Sequence, residues 1–316
     1  MAVSVNPGDA SEICTISTAG AVSLRRVLPG AEAHTLESWC PLPDALASEE
    51  AVSHGWTASH KLVVGFASGV AVSLDLEDLD VGAAAPVTTL CGASEMGAAT
   101  AVSATATRVV VGFADGSMTW VDESGSAAPV TQAVCDGAVV SITLGTGGSL
   151  WVGSEAGSLS SVSLAAQGEA DGGEMAAQIE VAFNHNSQPL ISLGSLTWEG
   201  QNSVVSCSPA GNVSTWGADK IGSIDTGAEA LSMSVTSATG LAAVGSATGV
   251  IRMVDLANAS QPQTVYRSKV HQGGVTQVEF SPDGTLLASA GEDNKVFFTD
   301  VSKKATPPQL DLQGCI

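Results

Sequence analysis

The hydrophobic positions of this 316-residue chain fall into short runs, and many of them interleave with polar residues. Such interleaving places successive side chains on opposite faces of a β-strand. Residues 2–6, 52–56, 100–104, 139–144, 191–198, 230–235 and 275–280 read in this way, as the inner strands of repeated units. After each comes an apolar run, then a turn, then a second alternating run. The turns centre on Gly20, Gly69, Gly116, Gly157, Gly211, Gly249 and Asn294. Glycine and asparagine tolerate positive φ, which predicts a two-residue hairpin turn at each position. The anchors recur at intervals of roughly 40 to 55 residues, close to the length of a four-stranded unit. The predicted units span 1–40, 51–92, 97–134, 137–184, 189–226, 228–268 and 271–312. A unit of this kind cannot bury both faces alone, so the units must stack.

The last unit is the most regular. It reads HQGGVTQVEFSPDGTLLASAGEDNKVFFTDV over residues 271–301, with a Pro-Asp-Gly turn between its first two strands. It resembles the WD40 repeat family. The resemblance implies an all-β, WD40-type β-propeller, seven blades of four antiparallel strands, formed as one domain by residues 1–316. In that family a His before the first strand, a Ser or Thr on the second, an Asp in the turn and a Trp on the third form a buried hydrogen-bonded set. The resemblance gives His271, Ser289 and Asp293 those roles, with Thr299 where Trp would stand. Asp115 matches the turn Asp in the third unit, and Trp216 matches the Trp in the fifth. The first candidate strand begins almost at Met1, so no N-terminal segment is expected to complete the last blade by exchange, and an outer strand is expected near residues 309–312. The first and last units are therefore expected to meet by face packing, or to need sequence from elsewhere.

Composition narrows the class. The chain is 44% hydrophobic and only 14% charged, with 35 glycines, which suits short buried strands joined by small-residue turns. No apolar run is long enough for a membrane-spanning helix, and the N-terminus lacks the pattern of a secretory signal. Cys14, Cys40, Cys91, Cys135, Cys207 and Cys315 are scattered and read as reduced thiols. Residues 29–50, 76–97 and 165–177 read as connections, the last a flexible Gly-, Glu- and Ala-rich insertion. Eleven Lys and Arg stand against 32 Asp and Glu, for a net charge of −21. That charge repels phosphate backbones and anionic lipid, so neither nucleic acid nor membrane is an expected partner. The basic residues gather late, as Arg267, Lys269, Lys295, Lys303 and Lys304. Arg267, Lys269, Lys303 and Lys304 form a candidate docking patch for an acidic protein.

Catalytic signatures are missing: there is no GxSxG, Walker-type, GxGxxG or HExxH element. His54 and His60 flank one candidate strand without further ligands at matching spacing. No catalytic residue, metal, cofactor or small-molecule substrate is expected. Trp39, Trp56, Trp120, Trp151 and Trp198 read as packing residues. Two segments carry a narrower resemblance, SVNPGDASEICTISTAGAVSLRRV and SHGWTASHKLVVGFASGVAVSLD. Both are similar to blades of the large WD-repeat cilia- and flagella-associated proteins, which build the tether of the inner dynein arm. Those proteins carry tandem propellers and coiled coil, and this chain has no heptad segment. The resemblance implies a non-catalytic interaction scaffold of the ciliary axoneme, cytoplasmic and cytoskeletal, with other proteins as partners. The alternative is a WD-repeat adaptor of a nuclear-pore, chromatin or ubiquitin-ligase assembly. A propeller enzyme would need acidic or histidine ligands converging at a channel.

Overall fold

The computed structural model describes residues 2–5, 12–16, 21–28, 35–57, 59, 61–76, 80, 83–93, 95–104, 108–122, 129–144, 149–166, 175–184, 188–198, 201–217 and 220–302. Among them every regular element is a strand, and the strands form seven antiparallel sheets of consecutive members. The first sheet holds β1 (Ala2–Val5), β2 (Glu12–Ile16), β3 (Val22–Leu28) and β4 (Thr35–Trp39). The second holds β5 (Ala51–Trp56), β6 (Leu62–Phe66), β7 (Ala71–Leu74) and β8 (Val87–Cys91). The third holds β9 (Ala99–Ala104), β10 (Arg108–Phe113), β11 (Ser117–Asp122) and β12 (Val130–Ala133). The fourth holds β13 (Val139–Leu144), β14 (Leu150–Ser154), β15 (Ser158–Ala166) and β16 (Met175–Asn184). The fifth holds β17 (Ser192–Trp198), β18 (Gln201–Cys207), β19 (Asn212–Trp216) and β20 (Lys220–Asp225). The sixth holds β21 (Ala230–Thr236), β22 (Leu241–Ser246), β23 (Val250–Asp255) and β24 (Gln263–Lys269). The seventh holds β25 (Val275–Phe280), β26 (Leu286–Gly291) and β27 (Val296–Asp300).

The strands divide between two compact units. One draws on Met1–Ser48, Asp80–Ala84 and Gly194–Ile316, and contains the first, sixth and seventh sheets and nearly all of the fifth. Here β21 lies beside β25, and β25 beside β1. The other draws on Glu49–Leu79 and Ala85–Leu193, and contains the second, third and fourth sheets. Here β5 lies beside β9, and β9 beside β13.

Burial explains why the middle strands are almost continuously apolar. Every residue of β6 and β7 is buried, and so are five of the six in β10, β11, β22 and β23. A strand covered on both faces has no polar side to show. Each fully buried Val or Leu contributes about 1.5–3 kcal/mol. Gly112 shows how closely the sheets approach: a Cβ there would run into the side chain of Val139 on the next sheet. Hydroxyl groups add directed contacts between neighbouring sheets. Thr100 donates to the Val139 carbonyl at 2.5 Å, and Ser232 to the Val275 carbonyl at 3.0 Å. Ser53 donates to the Ala99 carbonyl, and the Leu193 N–H donates to Ser141 Oγ at 3.0 Å.

The turns differ from the two-residue form expected. At the second sheet Phe66 N–H donates to the Val70 carbonyl, and Gly69 N–H donates back to the Phe66 carbonyl. That leaves a three-residue loop whose last residue alone has positive φ, the type I turn with a bulge. Gly69, Gly116, Gly157, Gly211 and Gly249 have φ between 80° and 87°, and Asn294 has φ 58°. Gly20 lies outside the described residues. At Gly249 a side chain would also strike the His271 carbonyl, which the tight return of the chain brings against it.

Three stretches expected as connections contain strands. β4 lies within 29–50, β8 within 76–97, and β15 and β16 run into 165–177, with Ala166 opposite Met175. The hairpin continues because each added pair satisfies backbone groups. Residues 2–5 pair with β2, so they are a strand of the first sheet and not an outer strand of the seventh. The strand expected near 309–312 lies outside the described residues.

Candidate partner-binding surface

His271 sits just before β25, Ser289 in the middle of β26, and Asp293 in the turn between β26 and β27. The fold brings the three together. His271 Nδ1 is 2.8 Å from Asp293 Oδ1, and Nε2 is 2.9 Å from Ser289 Oγ. The carboxylate can only accept, so Nδ1–H donates to it and Nε2 accepts from the Ser289 hydroxyl. Asp293 also receives the backbone N–H groups of Gln272 and Lys295, at 2.9 Å and 3.3 Å. Burial pushes the Asp293 carboxyl up, but the Gln272 N–H and the His271 ring outweigh it, and the net position is below the usual carboxylate range. The edge of Phe297 meets the imidazole, centroid to centroid at 4.8 Å. The connectivity is that of a nucleophilic Ser–His–Asp triad. Yet Ser289 and His271 are both 0% exposed, so the hydroxyl cannot reach a substrate carbonyl. The network fixes the turn of the seventh sheet. Thr299 is buried beside it, with Oγ1 unpartnered among the described residues.

The fifth sheet holds the complementary half. Trp216 Nε1–H donates to Ser206 Oγ at 2.7 Å, both buried. Ser206 stands before Gly211 as Ser289 stands before Asn294, a correspondence the turn register could have revealed. Asp115 serves its own turn, accepting from the Ser117 N–H and hydroxyl at 2.8 Å and 2.5 Å. No histidine faces it: Ala99–Phe113 corresponds to Val275–Gly291, which puts the exposed Glu95 in the place of His271.

Of the basic patch, Arg267 and Lys269 stand exposed on β24, the outermost strand of the sixth sheet. Lys303 and Lys304 lie outside the described residues, so the structure brings together only two of the four. It adds a third basic residue that the sequence did not single out. Arg252 on β23 is the register partner of Arg267.

Burial makes four of the thiols and one histidine less reactive. Burial pushes the thiols of Cys14 and Cys207 up to about 12, and those of Cys91 and Cys135 to about 11. The same effect lowers His54 to about 4. Among the described residues no group of three or more His, Cys, Asp or Glu could hold a metal ion. His60 and Cys315 lie outside them. No helix there is long and apolar enough to cross a membrane.

Comparison with known proteins bears on this geometry. Residues 261–300 match the WD40 family, described as WD domain, G-beta repeat. The chain is 27% identical over 121 residues to cilia- and flagella-associated protein 43 of Xenopus laevis, a match covering 37% of this chain and 7% of that protein. Solved structures of similar fold include the WD40 β-propeller domain of Doa1. There the TM-score is 0.73 at 13% identity, covering 96% of this chain and 93% of that one. A chain of the mitotic checkpoint complex gives 0.71 at 15% identity, covering 92% and 84%. Chaetomium thermophilum Sqt1, bound to the N-terminus of ribosomal protein L10, gives 0.65 at 16%, covering 97% and 86%. The chain is thus an all-β protein of the WD40 propeller fold, with a WD40 repeat at residues 261–300.

Proposed function

We propose that this chain is a non-catalytic protein-interaction scaffold of the ciliary axoneme, acting as one propeller over residues 1–316. The observation that carries the axonemal part is the 121-residue match to cilia- and flagella-associated protein 43. That match covers 7% of the ciliary protein, so it speaks for the setting and not for any particular partner. The non-catalytic part is supported by the burial of Ser289 and His271, whose network with Asp293 serves the turn. Broad sheet edges with exposed outer strands suit docking by protein surfaces. Arg267 and Lys269, with Lys303 and Lys304, are the proposed contact, because only a local positive region attracts an acidic partner against a net charge of −21. The proposed location is cytoskeletal.

Proximity labelling of the chain in a ciliated cell tests the reading. The expected result is enrichment of inner-dynein-arm tether and neighbouring axonemal proteins. Enrichment of nuclear-pore, chromatin or ubiquitin-ligase subunits instead would replace the axonemal scaffold by an adaptor of those assemblies.

A further inference from the structure

Strands β23 and β24 set two arginines face to face. Arg252 and Arg267 are Cα partners in the antiparallel register. Side chains directly opposite one another in a ladder lie on one face of the sheet. Lys269 follows on the same face, opposite Val250. The two arginines differ in burial: Arg267 is exposed, whereas Arg252 is 5% exposed. Nη1 of Arg252 is buried with no hydrogen-bond partner, and no carboxylate among the described residues pairs with either guanidinium. Burial, and then the charge of Arg267, push the ionisation of Arg252 below its ordinary range. An arginine stays charged under such pressure. A buried cation facing a second cation is unfavourable for the fold unless an anion completes it. Ile251 and Met253, on the opposite face of β23, pack with Val275, Val278 and Phe280 of the seventh sheet. The arginine face is thus turned away from that core; Arg252 is largely covered there, while Arg267 and Lys269 on β24, the last strand of its sheet, are exposed to an approaching chain.

We propose that the Arg252–Arg267 pair is an anion-binding site that takes the carboxylate side chains of an acidic segment on a protein partner. A carboxylate has two oxygens that accept from two guanidinium forks at once, which gives direction as well as attraction. The net charge of −21 works against a polyphosphate backbone far more than against a short acidic segment, which argues for protein over nucleic acid. The inference rests on the scaffold reading only in that the partner is a protein.

The test uses the purified chain and a fluorescein-labelled hexaglutamate peptide, with hexaglutamine as control, read by anisotropy in low salt. The expected result is saturable binding of hexaglutamate alone, weakened about tenfold by Arg252→Met and again by Arg267→Met. Methionine keeps the apolar stem of Arg252 and removes its charge, so Arg252→Met is expected to melt at or above the wild-type temperature. Affinities within about twofold of wild type in both variants would overturn the site. So would a failure of hexaglutamate to saturate, or a lower melting temperature of Arg252→Met, which would make Arg252 a structural residue. Arg267→Met, on the exposed side, keeps the affinity arm readable whatever Arg252→Met does to folding. Inorganic phosphate that saturates the pair where hexaglutamate does not would overturn the carboxylate assignment. Axonemal labelling that fails while peptide binding stays intact would count against the scaffold reading and leave this site standing. The reverse result would remove the site alone.

Discussion

At the scale of single residues, two carboxyl groups in the seventh sheet behave in opposite ways. Asp293 is an anion held by N–H donors from Gln272, His271 and Lys295. Removing it leaves the fully buried His271 ring without its acceptor. Asp293→Ala is therefore expected to cost about 1–3 kcal/mol in urea unfolding at neutral pH. Its folded carboxyl lies below the usual range, so this stabilisation is present above about pH 4 and is lost as pH falls below it. The gap between wild type and variant should narrow in acid, and a gap that stays constant would show that packing, and not the anion, is what Asp293 contributes. Glu279 on β25 has no such donors among the described residues, and burial raises it to about 7. The sign reverses. A raised carboxyl favours the folded state when protonated, so stability falls as pH rises from about 4 through 7. Glu279→Gln should melt higher than wild type at pH 8, with the difference closing toward pH 4. Glu279 keeps part of its surface open, so the difference will be smaller than full burial would give. Equal melting temperatures at pH 8 would refute the buried-charge account.

At the scale of elements, the sequence was legible where burial was strong and silent where it was weak. The inner strands expected at 139–144 and 275–280 are β13 and β25, and the others fall within a residue or so of β1, β5, β9, β17 and β21. These strands pack a neighbouring sheet, so their side chains must alternate or be apolar. Outer strands carry no such obligation. β12, β20 and β24 have no buried residue, and β8 has only its last two. Hence β4 and β8 passed as connecting segments, and the long hairpin of β15 and β16 as a flexible insertion. The site was partly legible. His271, Ser289 and Asp293 could be named because residues 271–301 resemble a WD40 repeat, but the facing of Arg252 and Arg267 depends on a register bulge between Met253 and Val254. Loop spacing does not disclose that bulge. The turn itself makes a prediction. Asn294 has φ 58°, and Asn294→Gly should change stability by less than about 1 kcal/mol, since both residues accept that region. Gly249→Ala combines φ 80° with a collision against the His271 carbonyl, and should cost more than the 1–3 kcal/mol of backbone strain alone, roughly. Chemical denaturation of the two variants side by side checks the contrast. A tolerated Gly249→Ala would mean that the chain returns to His271 less closely than the structure shows.

At the scale of the whole molecule, cohesion and charge have separate origins. The sheets cohere through apolar burial and hydroxyl contacts, neither of which salt screens appreciably. Lys61–Asp75, at 3.6 Å, is a partly exposed pair, and exposed pairs contribute little. Against this stands the mutual repulsion of 32 acidic groups with only 11 basic ones to offset them. Added salt should therefore raise the melting temperature steadily from very low ionic strength to about 0.15 M, where the Debye length has shrunk to about 8 Å. Association with an acidic partner through Arg252, Arg267 and Lys269 has the opposite dependence, because screening weakens the local attraction that overcomes the field of the molecule. One salt titration, following melting and peptide affinity on the same sample, should show stability rising while affinity falls. If affinity also rose with salt, the contact would be apolar, and the basic residues of β23 and β24 would have no part in it. If stability fell with salt, ion pairs would be holding the sheets together, contrary to the packing described for β6, β10 and β22.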